Sequence, residues 1–195
     1  MTDEAAGMVA LLAGTVLTPE PAPGVVGLLT GGGVVHRLLG APEEVPPGAR
    51  VYDLGADAVL LPGLIDLHTH GGWNLRYTDG PDAARTILRR RAESGCTALL
   101  MTVGGPPEEM VQWLPDLATV VGAPTGGAVA LGFHVEGPWL NWDAWVSWGA
   151  RQGSGRTLVA PKADDFHRIQ DAAGGQVRLV SCAPEFPEEI GRAHV

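Results

Sequence analysis

The sequence predicts an α/β fold, in which a portion built from short strands leads into alternating strands and helices over a parallel sheet. Three observations carry this expectation. Residues 8–61 hold only short apolar or β-branched runs, punctuated by Pro and Gly. After Gly63 the rhythm changes to strand, helix, strand, helix, the pattern of a parallel sheet. Residues 97–103 form a continuous apolar run, as expected of a strand covered on both faces.

The elements follow in chain order. Val9–Leu17, Val25–Leu29, Val34–Leu39 and Ala58–Leu61 read as strands. Pro19, Pro21, Pro23, Gly31-Gly32-Gly33 and Pro46-Pro47-Gly48 separate them. The triple glycine lacks the Lys-Ser/Thr of a phosphate loop and precedes no helix, so it reads as a turn. Leu64–His70 is the next strand. Asp82–Ser94 is a helix with Ala84, Ile87, Leu88 and Ala92 as its apolar stripe and Gly95 just past its end. Arg85, Arg89, Arg90 and Arg91 are expected on its solvated outer face. Pro107–Val121 is a second helix, with Pro107 at its first turn and Met110, Val111, Leu114, Leu117, Ala118 and Val121 at helical spacing. Ala128–His134 is a strand, Ala163–Ala173 a helix ended by Gly174-Gly175, and Val177–Ala183 a further strand.

Composition bounds the function. The chain has 195 residues, 45% of them hydrophobic, enough for a buried core. A net charge of -9 without a basic cluster argues against nucleic acid and anionic membranes as partners. Pro and Gly interrupt every apolar stretch before it reaches membrane-spanning length. Asp3 and Glu4 replace the basic region of a signal peptide, so a cytoplasmic location is expected. Cys96 and Cys182 are expected to be buried, reduced thiols.

The chemistry concentrates at Leu64-Ile65-Asp66-Leu67-His68-Thr69-His70-Gly71. Alternate residues of a strand share a face, so His68 and His70 project together at its C-terminal end. Two adjacent imidazoles are half of a metal site. For His-x-His alone, a packed or solvated strand end is an equally open reading. By the same alternation, Asp66 shares that face one layer deeper. It is expected to orient the histidines or bond nearby backbone. His134 and Glu136 also share the inward parity, which leaves Phe133 and Val135 facing the helices. Two His and a carboxylate form an N/O donor set suited to Zn²⁺ or Fe²⁺.

Three strings carry a family resemblance. Residues 62–71, Pro-Gly-Leu-Ile-Asp-Leu-His-Thr-His-Gly, resemble the first barrel strand of the amidohydrolase superfamily. Residues 132–141, Gly-Phe-His-Val-Glu-Gly-Pro-Trp-Leu-Asn, resemble the signature of N-acetylglucosamine-6-phosphate deacetylases, and Leu179-Val180-Ser181-Cys182-Ala183-Pro184-Glu185 is similar to that family's fourth strand. The similarity runs from about residue 8 to about residue 187. It implies a partial (β/α)₈ TIM-type barrel of about four strands, spanning 62–188, preceded by a small β-sandwich portion over 1–61. It also implies a metal-dependent hydrolase that removes the acetyl group from N-acetylglucosamine 6-phosphate in amino sugar catabolism. Glu136 corresponds to the family's metal-binding glutamate, and His68 and His70 match the pair found in many amidohydrolases. That pair admits a second metal. Asp66 and His134 are expected around the ligands. No lysine occurs in Val177–Ala183, which favours this branch over relatives with a carboxylated lysine.

The family's substrate segment is matched at Trp148-Gly149-Ala150-Arg151, so Ala150 and Arg151 are expected to touch the sugar. Arg151 stands where the family has histidine, which leaves another N-acyl substrate open. Trp142, Trp145 and Trp148 either stack a sugar or pack their loop. A whole barrel needs about 250 residues. The later metal-binding histidines, the phosphate-binding arginine and the general base of strand eight have no counterpart here. The chain is therefore expected to be an inactive N-terminal fragment of an oligomeric parent, or else a non-catalytic half-barrel. Residues 189–195 depart from the family pattern and are expected to be a non-native tail.

Overall fold

The computed structural model of the protein describes residues 7–140 and 161–183. Two compact units divide between Pro62 and Gly63.

The first unit carries strands β1 (Val9–Leu12), β2 (Thr15–Val16), β3 (Gly27–Gly31), β4 (Val34–Leu39), β5 (Arg50–Asp53) and β6 (Val59–Leu60). Four of them form a sheet in the order β4-β3-β1-β5, and β2 pairs with β6. β3 and β4 make a hairpin around Gly32 and Gly33, both at positive φ, so the triple glycine is a turn. The run expected as one strand over 9–17 is two, because the chain bends at Gly14. A Cβ there would lie 1.7 Å from the Ala56 carbonyl oxygen, so only glycine lets the two backbones pass. β5 was not legible in the sequence: all four of its residues are exposed, and it pairs in parallel with β1 at the sheet edge. The core of this unit is small, with Ala10, Leu29 and Leu39 buried together.

The second unit is the α/β part. Its strands are β7 (Leu64–Thr69), β8 (Gly71–Gly72), β9 (Leu75–Arg76), β10 (Cys96–Val103), β11 (Val129–Glu136) and β12 (Val177–Ser181). Its helices are α1 (Pro81–Glu93), α2 (Pro107–Ala118) and α3 (Ala163–Ala172). The main sheet runs β12-β11-β10-β7, every pair parallel. A parallel neighbour demands a crossover, and α1, α2 and α3 occupy the three crossovers in turn. Their apolar stripes pack on one face of the sheet. Ala84, Ile87 and Leu88 of α1, Met110, Leu114 and Leu117 of α2 and Ile169 of α3 share one core with Leu99, Met101, Val103, Phe133 and Val135. Phe133 and Val135 thus face the helices, as alternation requires. α2 ends three residues short of its expected end, but Val120 and Val121 still pack on the core as the chain turns toward Gly122, at φ 69°. No helix among the described residues is long and apolar enough to cross a membrane. Cys96 is buried as expected, whereas Cys182 is exposed, because it follows the end of β12.

A two-residue hairpin joins β8 to β9 through Trp73 and Asn74, at φ 55° and 62°. Two positive φ values in sequence are those of a type I′ turn, which suits Asn but strains Trp. Nothing in the apolar pattern announces this hairpin.

Candidate metal centre

His68, His70 and Glu136 come together at the C-terminal ends of β7 and β11. In parallel α/β sheets this is the end where ligands bind. The Nε2 atoms of His68 and His70 are 3.3 Å apart. Glu136 Oε2 lies 2.8 Å from His70 Nε2 and 3.6 Å from His68 Nε2. All three donor atoms fall within 4.8 Å of one another. A tetrahedral zinc with ligands near 2.0–2.1 Å separates its ligand atoms by about 3.3 Å, so the three atoms already have the spacing of one face of such a site. The chemistry of the donors and their separations therefore fit a divalent metal. The imidazoles are about half exposed while the carboxylate is only 15% exposed, which leaves the approach open from the histidine side.

The residues around this cluster set its shape. His134 is 2% exposed and stands edge-on to the His68 ring, with centroids 4.8 Å apart. Its Nδ1 donates to the Leu67 carbonyl at 3.1 Å, so its Nε2 accepts from the Ser181 hydroxyl at 2.7 Å. Burial pushes the His134 pKa below its ordinary value, and the neighbouring His68 pushes it the same way. The Leu67 carbonyl opposes both only in part. A neutral ring that spans β7, β11 and β12 is the result. Thr102 on β10 accepts the Thr69 N–H at 2.9 Å and ties β7 to its neighbour. Gly104, just past β10, approaches the Glu136 backbone so closely that a Cβ would lie 2.3 Å from its carbonyl oxygen.

Asp66 departs from the simple alternation. The pairing of β7 with β10 slips by one residue between Asp66 and Thr69, which sit opposite Leu99 and Met101. Both partners belong to the helix-side core. The slip is a bulge, and a bulge reverses the side-chain parity across it. Asp66 therefore turns toward α1, not toward the histidines. From there Asp66 Oδ1 accepts the His68 N–H at 3.0 Å, and Asp66 Oδ2 lies 3.7 Å from Arg91 Nη1. Arg91 is likewise not the solvated outer-face residue that helical spacing suggests, since its guanidinium reaches back over the end of β7.

Thr102, Arg91 and Gly104 carry no motif, and Ser181 stands in a matched string that gives it no role; strand register and the packing of α1 bring them to the site. Ala150 and Arg151, the expected sugar-binding residues, lie outside the described residues, as do Trp142, Trp145, Trp148 and Glu185.

A parallel α/β sheet carrying a His-His-carboxylate cluster at its strand ends is the arrangement of amidohydrolase-type proteins. The comparisons with known proteins narrow this class. No family model matches the chain. N-acetylglucosamine-6-phosphate deacetylase of Bacillus subtilis is 30% identical over 152 residues, which cover 74% of this chain and 36% of that protein. The human enzyme of the same name is 31% identical over 158 residues, again 74% of this chain and 36% of that protein. Among solved structures, a mutant N-acetyl-D-glucosamine-6-phosphate deacetylase from Mycobacterium smegmatis, in complex with N-acetyl-D-glucosamine-6-phosphate, superposes with a TM-score of 0.77. It is 28% identical, and the match covers 96% of this chain and 46% of that one. The chain is homologous to the N-acetylglucosamine-6-phosphate deacetylases, and it spans about a third of the length of these curated relatives.

Proposed function

We propose that the chain is the N-terminal part of a metal-dependent deacetylase acting on N-acetylglucosamine 6-phosphate. On this reading residues 1–61 form part of a β-sandwich and 62–188 the first half of a (β/α)₈ barrel. His68, His70 and Glu136 hold the metal, Zn²⁺ in the first instance and Fe²⁺ as the alternative. The observation that carries the proposal is the trio of donor atoms within 4.8 Å at the ends of parallel strands. The homology and the superposition on a deacetylase that binds the same sugar phosphate support the substrate class.

The metal, when bound, supplies a polarised amide carbonyl and an activated water. The chain's own residues supply positioning. Neutral His134 fills the space behind His68 and holds its ring edge-on. Its bonds to Leu67 and Ser181 keep the strand ends in register. Asp66 fixes the His68 backbone through its N–H. Ala150 and Arg151 are proposed to meet the sugar, and the general base is supplied from beyond this chain. The parent protein is proposed to be a cytoplasmic homo-oligomer.

Acetate release from N-acetylglucosamine 6-phosphate by the product of the extended gene tests this. Activity should require added divalent metal and fall at least 100-fold in Glu136→Gln, since the variant loses a charged ligand. Metal-independent turnover, or a Glu136→Gln enzyme at the parent rate, overturns the proposal.

A further inference from the structure

We infer that Arg91 is a further positioning residue of the candidate metal centre, a clamp from α1 that fixes the backbone carrying His68 and His70. The inference rests on the metal reading of that cluster and assigns a task to a residue that reading does not use.

The guanidinium touches the chain before, between and after the two histidines. Arg91 Nη1 lies 3.7 Å from Asp66 Oδ2. Arg91 Nη2 donates to Thr69 Oγ1 and, at 2.9 Å, to the Gly71 carbonyl. Asp66 in turn accepts the His68 N–H at 3.0 Å. The bulge in β7 makes this geometry available. It turns Asp66 and Thr69 to the same side, toward α1, and leaves the intervening His68 facing away.

The position needs help of this kind. Among the described residues β7 is the edge strand of its sheet, paired with β10 on one flank. Leu64, Ile65 and Leu67 are each more than half exposed, so packing contributes little to its rigidity. Two half-exposed imidazoles on such a strand would sample many positions unless polar contacts held the backbone beneath them. Gly71, directly after His70, cannot drift freely either. It sits at φ 136°, where a Cβ would lie 2.2 Å from the Leu75 carbonyl oxygen, so it locks into the hairpin formed with β9.

The same arginine holds the far side of the hairpin. Its guanidinium carbon lies 5.7 Å from the centroid of the Trp73 ring, and that of Arg90 lies 5.6 Å away. Trp73 keeps a left-handed backbone that bulky residues avoid, and strain of that kind persists where surroundings over-determine it. The contacts exploit what distinguishes arginine from lysine, a planar fork with five donors that reaches several acceptors at once.

The test is a Co²⁺ titration of the full chain, read by visible absorption, below the concentration at which the protein self-associates. Wild type should give the intense bands of a low-coordinate site. Arg91→Met keeps the aliphatic stem and removes the fork, and should bind Co²⁺ 10–100-fold more weakly, the usual effect of losing a partner that orients metal ligands. Arg91→Lys should recover part of that loss. Arg90→Met, which removes only the second cation over Trp73, should stay within twofold of wild type. If wild type binds Co²⁺ and Arg91→Met binds it with the same affinity and spectrum, the clamp is refuted while the metal reading stands. If wild type binds none, both fall. Should Arg91→Met fail to fold, Arg91→Lys decides, and wild-type affinity in that variant refutes the clamp.

Discussion

Replacing His70 by alanine should abolish most of the metal-induced stabilisation of the chain. His70 is the shared vertex of the cluster, with Nε2 at 3.3 Å from His68 and 2.8 Å from Glu136. A metal that binds only the folded state stabilises it by about 2.7 kcal/mol at 100 times its Kd. For a chain of 195 residues each kcal/mol moves the melting temperature by roughly 2–4 °C. Wild type should therefore melt about 5–11 °C higher at that Zn²⁺ concentration than in chelator. A ligand lost outright costs at least as much as an orienting partner, about 100-fold in affinity. At the same Zn²⁺ concentration the His70→Ala protein then gains only about 0.4 kcal/mol, a shift of roughly 1 °C. Differential scanning fluorimetry with paired chelator and Zn²⁺ arms measures both. Equal shifts in wild type and variant would refute the three-donor site, since the metal would be acting elsewhere.

Three other perturbations have defined outcomes. Gly104→Ala places a Cβ more than 1 Å inside ordinary contact with the Glu136 carbonyl oxygen, so it should destabilise by about 1–3 kcal/mol and weaken Zn²⁺ binding together. Loss of stability with unchanged Zn²⁺ affinity would show that Glu136 is not displaced. Burial pushes the Tyr77 pKa up to about 12 from 10.0, and the Thr69 side chain offsets this only in part. The folded state thus favours the neutral phenol. That stability is fully present below pH 10 and lost as pH rises from 10 toward 12, about 2–3 kcal/mol in all. Urea unfolding of wild type and Tyr77→Phe across this window should show the slope only in wild type, and equal slopes would remove the assignment. Leu64, Ile65 and Leu67 are exposed on the edge strand β7, so the chain should self-associate with rising concentration in sedimentation velocity, and Ile65→Lys should reduce it. A wild-type monomer at all concentrations contradicts this.

Much of the candidate site's geometry was legible in the sequence. His68 and His70 two apart on a strand, and His134 and Glu136 two apart on another, imply shared faces through local geometry alone. The helix-facing placement of Phe133 and Val135 follows from the same alternation. The helices were legible because their apolar stripes repeat at 3.6 residues and end at glycines such as Gly95 and Gly174. The exposed strand β5 and the Trp73-Asn74 hairpin were not, since neither buries a patterned face.

What the sequence by itself determined is the candidate donor residues and the strand ends that carry them, because residue type and strand period are local properties. The tertiary structure alone decided who supports those donors. One slipped residue between β7 and β10 turned Asp66 from the histidine face to α1, and an arginine expected in solvent came inward to meet it. The pairing of Thr102, Ser181 and Gly104 with the site likewise depends on register between distant segments. Register is fixed by the packing of whole strands against their neighbours, and no single stretch of chain contains it.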